Sequence, residues 1–309
     1  MSMTRTQMVT QIESDIIHRD DKTTSVGYAI NWALERLDKS GTFQELNMEE
    51  ITTTVISTTF ATTDVDTSTN IITLDIDVPT GTKIVFTSTT TVPAGLTAST
   101  DYWAIRGSST TITVASTYLL AWAGTAISLT DTGTGTHTVT AYRERIAKPD
   151  GCKFIQSIRL IDGSMSRKLE PVLPNEIDLA IPFASGNSAG RPSHYCEWSD
   201  WLQLNVIPDA TYIIKIRYTK WQDAFDEDAD TAEVTGIDNM IILGACMYMW
   251  GTILGEPEQA AMCENQLNKE IYLYKRFITN MKPDLVMKPS MGSHRQSASD
   301  MQTNPFSNG

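Results

Sequence analysis

The chain has 309 residues, 41% hydrophobic and 20% charged, enough to bury a sizeable core and to build two domains, which excludes a disordered protein. A formal net charge of -13 argues against a bare nucleic-acid-binding surface, because phosphate binding needs clustered Lys and Arg that release counterions. DNA near such a chain is repelled.

The N-terminus "MSMTRTQMVTQIESDIIHRDD" has no apolar core of signal-peptide length, and we read it as unprocessed and cytoplasmic in origin. A first helix is predicted from Thr4, whose hydroxyl can cap the turn while Gln7 reaches back in a capping box. Met8, Ile12 and Ile16 then share a face. A second helix, from about Ser25 to Lys39, carries the stripe Val26, Ile30, Ala33, Leu34 and Leu37, with Gly41 as its stop.

From Thr52 to Thr140 the composition changes: 29 of 89 positions are Thr, and the only Lys or Arg residues are Lys83 and Arg106. Thr is β-branched and favours strands. It alternates here with Val and Ile in "TTTVIST", "NIITLDI", "TKIVFTS", "DYWAIR", "TTITVAS", "TAISLT" and "THTVTAY", separated by turn signals such as "PTG", "PAG" and "TGTG". The segment reads as a separate all-β, sandwich-like domain inserted over residues 52–143.

The host resumes with "CKFIQSIRLI", an irregular loop to about Ser193, and the strands "WLQLNVI" and "YIIKIRY" joined through "PDA". The last of these places Tyr212, Ile214, Ile216 and Tyr218 on one buried face. An acidic loop follows, with Asp223, Asp226, Glu227, Asp228, Asp230 and Glu233. The uncharged run Asn239 to Leu254, 16 residues, falls short of the roughly 20 that a membrane helix needs, so it reads as a buried helix. After "GEPE" a closing helix carries Ala260, Cys263, Leu267, Ile271, Tyr274 and Ile278 as a stripe, and the short connection makes the two helices antiparallel neighbours. The expected fold is α+β: a helical core with a few strands over residues 1–51 and 144–281, the inserted β-domain, and an extended tail over residues 282–309.

Few residues carry chemistry. An EF-hand loop begun at Asp226 needs Gly at 231 and Glu at 237, where this chain has Thr231 and Ile237, so the acidic run reads as a solvated surface. "GTGTHT" around Gly133, Gly135 and His137 lacks the third glycine and the following helix of a phosphate loop, and reads as a hairpin turn. The four histidines (His18, His137, His194, His294) are scattered, and His194 with Cys196 alone does not make a zinc site. Cys152, Cys196, Cys246 and Cys263 read as reduced core thiols. No activated nucleophile is legible, so the chain is read as a non-enzyme without cofactor or metal; a spatial triad in a cryptic hydrolase stays open. The aromatic set Tyr195, Trp198, Trp201, Tyr212, Tyr218, Trp221 and Phe225 suits core and subunit contacts.

The order of elements, with "INWALERLDKSGTFQELN", "WLQLNVIPDATYIIKIRYTKWQDAF", the acidic loop, "NMIILGACMYMW" and "EQAAMCENQLNKEIYLYKRF", resembles the head-to-tail adaptor (connector) proteins of tailed bacteriophages over about residues 1–50 and 148–281. The Thr-rich segment, with "GTAISLTDTGTGTHTV", is similar to small β-modules of phage tail, fibre and neck proteins; typical adaptors carry no insertion of this size here. The resemblance implies a ring of about twelve copies in the virion neck, contacting the portal protein and the tail or tube proteins, with DNA passing through its lumen. The acidic loop then lines the channel or meets a basic neighbour. The C-terminal tail, disordered alone by composition, is expected to be ordered by neighbouring chains or the portal, with Leu285, Val286 and Phe306 as apolar anchors. The rival reading is a virion-surface protein whose β-domain binds a host receptor or glycan through Tyr102, Trp103, Tyr118 and Trp122, although adjacent Tyr102 and Trp103 must point to opposite faces of a strand.

Overall fold

A computed structural model describes residues 2–41, 43–163, 165–180 and 189–280. It is a mixed α+β protein with four sheets and six α-helices among these residues. The helices are Arg5–Thr10 (α1), Thr23–Ser40 (α2), Tyr118–Trp122 (α3), Pro174–Ala180 (α4), Asp238–Tyr248 (α5) and Pro257–Asn280 (α6). The described residues divide into a helical unit, within 2–41 and 223–280, and a β unit, within 43–222.

In the helical unit, Thr4 and Gln7 form the reciprocal capping box at α1. The helix then widens into a π-helical stretch, Gln11–Ile17, ended by His18 in the left-handed region at φ 54°. The wider turn admits one extra residue per repeat, so Ile17 is buried beside Met8 and Ile12, and Ile16 is only half-buried. The whole predicted stripe of α2 is buried. α2 packs on α5, and an added Cβ at Gly244 would lie 2.7 Å from Ala33 Cβ, so Gly is required by this close approach. α5 continues as a π-helical Met249–Ile253 before the short link to α6. Arg36 ties three helices together: Nη2 pairs with Glu264 at 2.9 Å, Nη1 donates to Met247 Sδ at 3.3 Å, and the guanidinium lies 5.4 Å from the Trp32 ring centroid. On α6 Leu267 is buried and the rest of the predicted stripe half-buried, the Ile278 side chain lying outside the described ones.

Burial pushes the Cys246 thiol up to about 12 and raises that of Cys263 as well. Both therefore stay protonated and unreactive at neutral pH. Iodoacetamide at about pH 8 is expected to leave Cys246 unmodified in the folded chain and to label it fully in denaturant, read by mass spectrometry; rapid native labelling would contradict a packed α5.

The β unit holds two sheets that share one core. Strand Asn47–Thr53 pairs antiparallel with Ile213–Lys220, which pairs with Cys152–Asp162, which pairs with Met165–Lys168. The second sheet joins Arg145–Ala147, Trp201–Leu204, His194–Trp198 and Glu170–Pro171. Ile158, Leu160, Ile214, Ile216 and Tyr218 of the first meet Ile146, Tyr195, Leu202 and Leu204 of the second in one cluster. "WLQLNVI" and "YIIKIRY" thus lie in different sheets, because each puts its apolar face toward the other's sheet rather than beside the other's edge.

The Thr-rich segment forms one antiparallel sheet of seven strands between Val55 and Tyr142, with its own core around Phe60, Ile84, Phe86, Ile112 and Val139. The sandwich-like expectation is corrected here: a second sheet is not built, and the buried face is covered by loop residues Leu74, Val78, Leu96 and Leu129. "TAISLT" is not a strand. Its Ile127, Leu129 and Thr130 N–H groups donate to Val114 O, Asn70 Oδ1 and Ala94 O, acceptors on three separate segments that no single ladder could supply. "GTGTHT" is accordingly not a hairpin turn; Thr134 bridges to Thr91 instead. "TTTVIST" splits at Thr54, with Thr53 still paired to Ile213 and Val55 already paired to Tyr142. Thr54 is fully buried at this junction: its N–H donates to Tyr212 O, its hydroxyl donates to Ala210 O and accepts from Tyr212 N–H, and its carbonyl accepts from Arg143 N–H.

Candidate functional site

The acidic loop is a folded turn held on the helical unit. Asn31 of α2 accepts the Phe225 N–H at 2.8 Å and donates to the Phe225 carbonyl at 3.2 Å, while the Phe225 ring is buried. The Asp230 Oδ2 accepts the N–H groups of Asp226 at 2.8 Å and Glu227 at 2.7 Å. Arg5 donates its backbone N–H to Asp230 O and pairs through Nη1 with Asp228 at 2.8 Å. Neither Arg5 nor Asn31 is distinguished in the sequence, since each meets the loop across about 200 intervening positions.

The six carboxylates therefore do different things. Asp230 organises the loop. Asp228, its own side chain 84% exposed, makes an ion pair with Arg5 that screening keeps weak. The side chains of Asp226 and Glu227 are exposed and accept no hydrogen bond among the described residues. Asp223 and Glu233 are exposed at the two ends. Because Asp230 turns back onto the loop backbone, the alternating aspartates do not converge, and no group of three or more potential metal ligands occurs among the described residues.

Asp230→Ala is expected to cost about 1–3 kcal/mol by removing two hydrogen bonds to a carboxylate, seen in urea unfolding and in faster amide exchange at Asp226 and Glu227. Asp226→Asn with Glu227→Gln is expected to leave both readouts unchanged. Equal effects of the two variants would contradict this division of roles.

The aromatic candidates divide as well. Tyr195, Tyr212 and Tyr218 are core, and Tyr102 is buried with its hydroxyl accepting Thr97 N–H at 2.8 Å. Of the four residues named for a binding face of the Thr-rich segment, Trp122 is the one substantially exposed, at 49%. Thr117 caps its short helix α3, and an added Cβ at Gly81, a position with φ 89°, would lie 2.9 Å from Trp122 Nε1.

Trp122 meets residues from outside that segment. Trp198 and Trp201 stand directly opposite each other across the turn at Ser199 and Asp200, and opposed residues present their side chains on one face. With Trp122, Arg145, Pro174 and Gln203 they line a cleft of about 310 Å³. The Arg145 guanidinium lies 5.2 Å from the Trp122 ring centroid. Beside it, burial raises the Glu144 carboxyl, with Arg145 acting in the opposite direction. Leu285, Val286 and Phe306 lie outside the described residues. The sequence matches no family model and no curated protein.

Proposed function

We propose that this chain is a head-to-tail adaptor of a tailed bacteriophage virion: a structural ring subunit that joins the portal to the tail and extends the DNA channel, with the Thr-rich sheet as an insertion in a helical and β-stranded core. The reading rests on the resemblance of the element order. The observation that carries it further is on α6: among the described residues Met262, Leu273 and Phe277 are 59%, 44% and 58% exposed, and by their spacing of eleven and four residues they fall on one side, with Gln266 and Lys269 between them. An exposed face of that kind suits a subunit completed by neighbours. No catalytic role is assigned to any residue, and no membrane is involved; among the described residues no helix is long and apolar enough to cross one. The test is the mass of the purified full chain with and without its phage's portal protein. A portal-bound ring is expected; a chain that stays monomeric in both conditions and is missing from purified virions would overturn the reading.

A second reading, a virion-surface protein that binds a host glycan, is favoured by one observation, the cleft of Trp122, Trp198, Trp201 and Arg145. Indole faces stack on sugar C–H groups, and Arg with Gln203 offers donors to hydroxyls. Trp122→Ala with Trp198→Ala discriminates the two: it should abolish saccharide binding under the second reading and leave ring assembly intact under the first.

A further inference from the structure

Two groups of charged side chains carry opposite sign, and each includes members without a partner among the described residues. The anions are Asp226 and Glu227, joined by the exposed Asp228, on a turn whose backbone is already fixed by Asp230 and Asn31. The cations stand on the hairpin of strands Cys152–Asp162 and Met165–Lys168, where Arg159 is directly opposite Lys168. Like charges in that position repel and destabilise the pairing unless an anion lies between or beside them. The side chains of Arg167 and Lys168 are exposed and make no ion pair or hydrogen bond among the described residues.

Arg167, Lys168, Arg191 and His194 line an open cleft of about 330 Å³ in which Glu170, 3.7 Å from His194 Nε2, is the one carboxylate among the described residues. Arg191 gives Nη1 to Asp162 at 3.2 Å, but its Nε and Nη2 are buried without a hydrogen-bond partner among the described residues. The Arg191 guanidinium lies 5.9 Å from the Tyr212 ring centroid with that edge closed to solvent, so a carboxylate-bearing guest meets the two exposed cations beside it, Arg167 and Lys168. The chain has 37 acidic and 24 basic residues, so a surface with this excess of cations is out of keeping with its average charge.

We propose that the cleft of Arg167, Lys168 and Arg191 receives the acidic turn Asp226 to Asp228 of a second copy of this chain. The inference rests on the ring reading above and names the contact that propagates it. Turn and cleft are different surfaces, so the contact is heterologous: each copy offers its turn to one neighbour and its cleft to the other, and the series closes into a ring when the rotation permits. The acidic loop is then a joint between subunits and not a lining of the channel. Charge pairing of this kind sets register and speeds encounter, and it weakens as salt rises.

The test uses the full chain, with mass measured by sedimentation or light scattering across protein concentration at about 50 mM and about 500 mM salt. Self-association is expected to weaken at least tenfold or so at the higher salt, and by a similar factor in Asp226→Lys with Glu227→Lys, and in Arg167→Glu with Lys168→Glu. The chain carrying all four reversals should regain association, because both surfaces change sign together. Circular dichroism and the melting temperature check that each variant folds, and the neutral Asp226→Asn with Glu227→Gln serves where a reversal does not. Assembly indifferent to salt and to both reversals overturns the pairing and leaves the ring reading standing. A chain monomeric at every concentration, alone and with portal protein, overturns both. Unchanged assembly with loss of duplex-DNA binding on reversing the cleft would reassign these cations to phosphate and overturn the proposal.

Discussion

Phe86→Ala is expected to melt the Thr-rich sheet while the helical unit stays folded. Phe86 is fully buried, meets Phe60 edge-on at 6.1 Å between ring centroids, and lies 6.2 Å from Tyr102. Truncating such a ring costs about 3–5 kcal/mol through lost transfer free energy and the cavity left behind. A small sheet has total stability of only about 5–15 kcal/mol, so the loss is a large share of it. Strand Val55–Phe60 enters beside His137–Tyr142, which leaves, so the segment begins and ends at one junction and its unfolding can be local. Calorimetry should resolve a new low-temperature transition that carries no loss of helical far-UV signal. One merged transition would mean that the sheet and the rest of the chain unfold together.

The second large effect is the converse. Gly244→Leu forces a side chain into the contact between α5 and α2, where even a Cβ meets Ala33 Cβ at 2.7 Å. Overpacking of this kind costs about 1–3 kcal/mol and more where neighbouring backbone cannot yield. Helical signal should be lost first, with the Thr-rich sheet retained. The smaller Gly244→Ala should destabilise in the presence of Ala33, and Ala33→Gly in the same chain should recover part of the loss after allowing about 1 kcal/mol for a glycine inside a helix. A double-mutant cycle with no coupling between the two positions would place the contact elsewhere.

The sequence by itself determined those features that depend on residues a few positions apart. The capping box at Thr4 and Gln7, the buried stripe of α2, the alternation from Tyr212 to Tyr218 and most Thr-rich strands follow from local periodicity and side-chain chemistry. Where local pattern misled, a nonlocal demand intervened. Ile17 replaces Ile16 because a π-helical turn breaks the 3.6-residue repeat. "TAISLT" alternates like a strand yet serves as a cover over the sheet's buried face, its donors taken one at a time. "YLLAW" within a β-rich stretch becomes α3, capped by Thr117.

Only the tertiary structure decided what the charged and aromatic residues do. Six acidic residues look alike along the chain, and packing on Asn31 and Arg5 makes Asp230 a structural acceptor while leaving Asp226 and Glu227 available. Trp122 joins Trp198 and Trp201, and Arg167 joins Arg191, across separations that carry no sequence signal. The physical reason is the same in each case: periodicity reports which face of an element is apolar, but convergence of side chains from distant segments depends on how sheets and helices stack, and that is set by the summed burial of many residues at once.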